Sequence, residues 1–245
     1  MSQERHRKKR APGVVWALAV TAAMALSGGY AAAADLEVGL KAYEAGDYQA
    51  ARAELQPIAE QGNAIAQYKL GHMHRYGNGV PQDVAEAIRW YQIAAEQGHT
   101  DAQYSLGYMY HTGEGVPQDD AEVARWWGMA AEQGDAEAAR GLGFYYDTGK
   151  GVPQDYAEAV RWWRMAAEHG DAIAQRELGV MYETGRGVLA SNVTAHVWFN
   201  IAGANGYDTA RENRDALAKN MTPQEISEAQ RRAQVCMSSG YQDCD

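Results

Sequence analysis

Between residues 99 and 134 the apolar positions Ala102, Leu106, Met109 and Tyr110 recur at spacings of three and four. That spacing gathers side chains on one face of an α-helix. Gly113 follows the last of them, where a residue free to adopt the left-handed conformation closes a helix. Gly115 lets the chain turn, Val116 offers an apolar contact, and Pro117 stiffens the approach to Asp119, a natural N-cap. A second apolar face then runs through Val123, Trp126, Trp127 and Ala130 to Gly134. Glu122 sits three residues after Asp119, as Glu86 follows Asp83 and Glu158 follows Asp155, the spacing of a reciprocal capping box. The pattern predicts two helices joined by a short loop. No part of it alternates at period two over a useful length, so strands are not expected.

The hairpin recurs every 36 residues. GxGVPQD occupies Gly77 to Asp83, Gly113 to Asp119 and Gly149 to Asp155. A degraded copy keeps Gly185, Gly187 and Val188 but has Leu189 for the proline and Ser191 for the aspartate. The same ruler carries the aromatic pairs Trp90/Tyr91, Trp126/Trp127, Trp162/Trp163 and Trp198/Phe199, and the glycines Gly62, Gly98, Gly134, Gly170 and Gly206. A fixed period of this length marks stacked units, each too small to bury its apolar face without neighbours.

The ordered set LGxMY (Leu106, Gly107, Met109, Tyr110; again Leu178, Gly179, Met181, Tyr182), then GxGVPQD, then AxxWW, then AAEQG, resembles the Sel-one-like repeat. That repeat is a relative of the tetratricopeptide repeat with a slightly longer loop. The resemblance implies an all-α, right-handed solenoid of helical hairpins. It divides the chain into a shortened first repeat over 35–62, repeats over 63–98, 99–134 and 135–170, and a degenerate repeat over 171–206. Capping helices follow over 207–237, with Thr222, Pro223 and Glu225 as N-cap, first and third positions of the second, and a loose or disulfide-tethered tail over 238–245. Similar envelope proteins act as adaptors or regulatory subunits, so the implied partner is a protein or peptide held in the concave groove. No cofactor is implied. Some cysteine-rich secreted relatives are described as binding penicillin or hydrolysing β-lactams, which keeps a cell-wall ligand binder or hydrolase as an alternative, beside a purely structural spacer. Those relatives carry a cysteine pair in each repeat and this chain carries none there.

The first 34 residues stand apart. Arg5, Arg7, Lys8, Lys9 and Arg10 precede an apolar run from Val14 to Leu26 and the alanines Ala31 to Ala34, the outline of a cleavable signal peptide. Cleavage after Ala34 or one residue earlier satisfies the small-x-small rule, and retention as an anchor is the competing reading. The leader places the chain in the periplasm or outside the cell, with no further stretch able to span a membrane. It removes five of the 22 Lys and Arg but only Glu4 of the 32 Asp and Glu, leaving 17 against 31, a net of −14. A surface so acidic repels phosphate backbones, which argues against nucleic acid. Cys236 and Cys244 lie in the last ten residues, where an oxidising compartment permits a short disulfide loop.

Trp90, Trp126, Trp162 and Trp198 hold one register and are expected in the core. Tyr91, Trp127, Trp163 and Phe199 vary in type and are expected to be partly exposed. First-helix positions that change between units are candidates for a groove: Tyr68, Tyr104, Arg140 and Arg176 in one register, and His72, Tyr108, Phe144 and Val180 one turn on. For the two arginines, a ligand carboxylate and a local salt bridge are both compatible readings. His72 and His74 point to different sides of a helix and do not form a metal pair, and His74 takes the register of Tyr110, Tyr146 and Tyr182. The chain has no GxSxG, HExxH or SxxK, and no catalytic residues are expected.

Overall fold

The structure is a computed structural model that describes residues 36–242 and residue 244. The expected leader over 1–34 lies outside the described residues. Within them are twelve helices and no strand: α1 over 36–44, α2 Tyr48–Glu60, α3 Ala64–Tyr76, α4 Val84–Glu96, α5 Thr100–Thr112 and α6 Asp120–Glu132. These are followed by α7 Ala136–Thr148, α8 Tyr156–Glu168, α9 Ala172–Thr184, α10 Asn192–Ala204, α11 Asp208–Ala218 and α12 Pro223–Ser238. From α2 to α11 each helix packs on its neighbours in sequence, so the hairpins stack into a solenoid.

Local chemistry sets the helix ends. Gly113 takes φ 77° and its N–H donates to Met109 O, closing α5. Asp119 Oδ1 accepts from the N–H groups of Ala121 and Glu122 at the start of α6. Asp83 and Asp155 cap α4 and α8 in the same way. The reciprocal half of the expected capping box is not made there. The carboxylates of Glu86, Glu122 and Glu158 turn outward to Arg89, Arg125 and Arg161, three residues on, because a guanidinium offers a charged fork where the cap offers one backbone N–H. The full box forms at α12, where Thr222 accepts from the Glu225 N–H and donates its own N–H to the Glu225 carboxylate.

Both aromatics of each pair are buried, which corrects the expectation for the second. Tyr91, Trp127, Trp163 and Phe199 are all at most 7% exposed. The room comes from the glycine of each LGxMY phrase. A Cβ on Gly71, Gly107, Gly143 or Gly179 would strike the ring of Tyr91, Trp127, Trp163 or Phe199 respectively. The ring of the second helix therefore lies on bare backbone of the first. The other set, Trp90, Trp126 and Trp162, is buried beneath the guanidinium groups of Arg89, Arg125 and Arg161.

A polar rung also repeats. Gln103 is buried, donates to Ala95 O at the end of α4, and accepts from Gln133 at the end of α6. Gln67 with Gln97, and Gln175 with Asn205, repeat the arrangement. Each rung adds a side-chain donor to a helix-end carbonyl that already accepts from the glycine N–H three residues on.

At the C-terminal end α12 packs directly on α10. The positions that hold a Glu–Arg pair in α8 are Thr194 and Val197 in α10, and both are buried. The Cys236 and Cys244 sulfurs are bonded, both residues are buried, and the Tyr241 hydroxyl donates to Asn205. The tail is thereby packed against the last repeat.

Candidate protein-binding wall on the first helices

Successive first helices α3, α5, α7 and α9 bring the variable registers onto one wall. At its N-terminal end the Tyr43 hydroxyl and His72 Nδ1 lie 2.6 Å apart, and the His72 ring lies against Tyr76. Tyr68 stacks on His99 with centroids 4.8 Å apart. Burial, reinforced by Lys69 and Arg75, holds the His72 imidazole below its ordinary pKa, and burial does the same for His99. Lys69 Nζ lies over the Tyr43 and Tyr68 rings, 4.7 and 5.5 Å from their centroids.

Further along, Tyr104 is half-buried with its ring stacked on Trp127, and burial beside the Glu137 carboxylate raises its phenol pKa. Tyr108 and Phe144 face solvent, 39% and 52% exposed. Arg140 Nε lies 3.0 Å from the Asp171 carboxylate, and Arg176 pairs with Glu177 at 2.6 Å. Both arginines are thus held in local ion pairs. The members of the two registers differ: Tyr68, His72 and Tyr104 are half engaged in packing, while Tyr108 and Phe144 are open.

Beside Phe144 lies a cavity of 440 Å³ walled by Trp127, Trp163 and Ile173, with Gly141 and Tyr145 on its inner side and His111 at its edge. A hydrogen-bonded chain supports it. The Tyr145 hydroxyl donates to Asp120 Oδ1 at 3.2 Å and lies 2.8 Å from His111 Nδ1, while Lys150 pairs with the same Asp120 oxygen.

A family profile described as Sel1 repeat matches residues 64–99, 100–135, 136–171 and 172–207, more than half of the chain. The chain belongs to the Sel1 repeat family. Among solved structures it is similar to a Sel1 repeat protein from Oxalobacter formigenes, at 34% identity and a TM-score of 0.70 over 73% of this chain and 74% of that one. It is also similar to c5321, described as a protective antigen present in uropathogenic Escherichia coli strains displaying an SLR fold, at 30% identity and a TM-score of 0.54. That match covers 86% of this chain and 55% of the other. No curated protein matches the chain. Sel1 repeat proteins are generally protein-interaction scaffolds, and the fold is typically non-enzymatic. Among the described residues no helix is long and apolar enough to cross a membrane.

Against the Sel1 register, the repeat containing α7 departs at three first-helix positions. Ala139 replaces the rung glutamine, Gly141 stands where other units have Lys69, Ser105 and Glu177, and Tyr145 stands where they have Met73, Met109 and Met181. His111 of the preceding repeat likewise differs from Arg75, Asp147 and Glu183. Gly141, Tyr145 and His111 line the cavity, and the sequence reading passed over all three. The available signal was Tyr145 alone, which breaks a methionine shared by the other units, whereas no two units agree at the registers of Gly141 and His111.

Proposed function

We propose that this Sel1 repeat chain is a non-enzymatic adaptor or regulatory subunit of the cell envelope that binds a protein or peptide segment along its first-helix wall. The observation that carries this reading is the pair Tyr108 and Phe144, large aromatic side chains left in solvent at one register of adjacent repeats. Covering the 39% and 52% that remain exposed would contribute about 1 kcal/mol each that folding of the chain alone does not use. The basic and then apolar leader supports the envelope setting.

The test is crosslinking capture from envelope fractions with the mature chain as bait and Tyr108→Ala/Phe144→Ala as control. Tyr104 is left intact because its ring packs on Trp127. A specific partner lost in the double variant supports the reading, whereas capture undiminished in a folded double variant refutes the wall as the site.

A further inference from the structure

The cavity beside Phe144 and the cation at the far end of the wall together specify a partner chemistry, on the reading that the wall binds a peptide segment. Four features carry the argument.

The cavity exists because Gly141 has no side chain. A Cβ there would collide with the six-membered ring of Trp127, whose other edge lies on Gly107, so the indole is sandwiched between two glycine backbones. Its charged rim is neutralised from within. Arg140 pairs with Asp171, Glu177 with Arg176, and Asp147 with Arg186 at 3.3 Å. A charged group entering the cavity would lose water and find each rim charge already matched, which selects a neutral occupant, while Arg140 Nε and Asp147 Oδ1, buried without a hydrogen-bond partner among the described residues, favour one with a polar edge.

His111 adds direction. A carboxylate only accepts, so the Tyr145 hydroxyl gives its proton to Asp120 and its oxygen accepts from His111 Nδ1–H. That fixes the tautomer and leaves Nε2, which has no protein partner among the described residues, as a hydrogen-bond acceptor on a side chain that lines the pocket. An aromatic side chain with its own donor, an indole N–H or a phenol O–H, meets both demands.

The opposite end of the wall is cationic although the chain is acidic. Helix α3 carries Lys69 and Arg75 and no Asp or Glu. Arg75 is taken by a bidentate pair with Glu114, whereas Lys69 has no carboxylate in ion-pair reach among the described residues and rests on two tyrosine rings. Lys69 and Gly141 share one register two repeats apart. Successive first helices are bridged by the second helix between them, α3 through α4 to α5 and α5 through α6 to α7, so the two positions lie at least about 20 Å apart, about six residues of extended chain or more.

We propose that the wall binds an extended peptide segment with a tryptophan or tyrosine seated in the Trp127/Phe144 pocket, against His111, and an acidic side chain six or more residues away paired with Lys69.

The test pans a displayed library of random dodecapeptides against the chain produced with its own leader, counter-selecting on Phe144→Glu. Both Phe144 and Lys69 lie outside the buried core, and helical circular dichroism checks that variants fold. The expected consensus holds an aromatic donor and an acidic residue at least six positions apart. Its affinity should fall at least tenfold with Phe144→Glu and severalfold with Lys69→Glu, and the Lys69→Glu loss should be recovered by a peptide carrying Lys for its acidic residue. Enrichment of basic or purely aliphatic peptides that still depends on Phe144 overturns this partner chemistry and leaves the wall as a binding surface. No enrichment over the variant also overturns it, and the broader reading then stands or falls by the crosslinking result.

Discussion

The indole of Trp127 rests on the bare backbone of Gly107, so closely that a Cβ on that glycine would fall on the indole Cδ1 and Nε1. The same indole donates from Nε1 to Tyr104 O, one turn back on the helix that carries the glycine. The contact recurs between Gly71 and Tyr91, Gly143 and Trp163, and Gly179 and Phe199, and it draws the two helices of every repeat together.

Gly107→Ala is therefore expected to destabilise the chain. Alanine gains about 1 kcal/mol of helix propensity, but forcing the buried indole aside costs about 1 to 3 kcal/mol, and Gly107→Leu costs more. Gly128 is the control, because it lies in α6 with nothing within 4 Å of an added Cβ. Gly128→Ala should stabilise by up to about 1 kcal/mol. Urea melts of the two alanine variants should move in opposite directions, and shifts of the same sign would count against the packed hairpin.

Capping and surface pairing are separable at α8. Asp155→Ala removes the acceptor for the N–H groups of Ala157 and Glu158 and should cost about 1 kcal/mol. Glu158→Gln breaks a pair whose partners are 38% and 53% exposed, and should cost less than about 0.5 kcal/mol. Equal losses in denaturant melts would show that the outward pair, and not the cap, holds the helix start.

Burial lowers the pKa of His72, His74, His99 and His196 from their ordinary 6.5. A group with a depressed folded value binds fewer protons folded than unfolded, so its contribution is intact above pH 6.5 and is lost as pH falls below it toward the folded value. His196 is 2% exposed with Arg214 and Asp215 as its charged neighbours, and its register-mates are Ile88, Ala124 and Val160. His196→Val should flatten the fall in stability between pH 7.5 and 5.5. A curve unchanged in slope would assign the acid sensitivity elsewhere.

Reduction of Cys236–Cys244 opens a loop with a sequence separation of 8, worth about 2 to 3 kcal/mol in the chain-entropy model. The effect should be local. Hydrogen exchange is expected to rise over residues 239–242 on addition of dithiothreitol while the helices of the repeats keep their protection. Loss of protection through α3 to α8 would show instead that the tail stabilises the whole stack.

The 36-residue ruler was enough to read the helical hairpins, their glycine and aspartate ends and the stacking order, because these depend on spacing and on the local chemistry of single residues. Leu106, Met109, Gly113, Asp119 and the first tryptophans fall where that reading puts them. The wall was legible as two registers of varying residues. Its inequality was not: Tyr104 is drawn onto Trp127 while Phe144 is left open, a matter of which ring has a neighbour.

What the sequence by itself determined is the repeat, since each unit restates the same local signals at fixed intervals. Only the tertiary structure decided how the units meet. The second aromatics are buried because a glycine on another helix makes room, and the glutamates turn from their caps to an arginine one turn on. The pocket forms because Gly141, Tyr145 and His111 meet at a junction between repeats. Such relationships link residues tens of positions apart through the space their side chains fill or leave empty, and periodicity along the chain carries no record of that space.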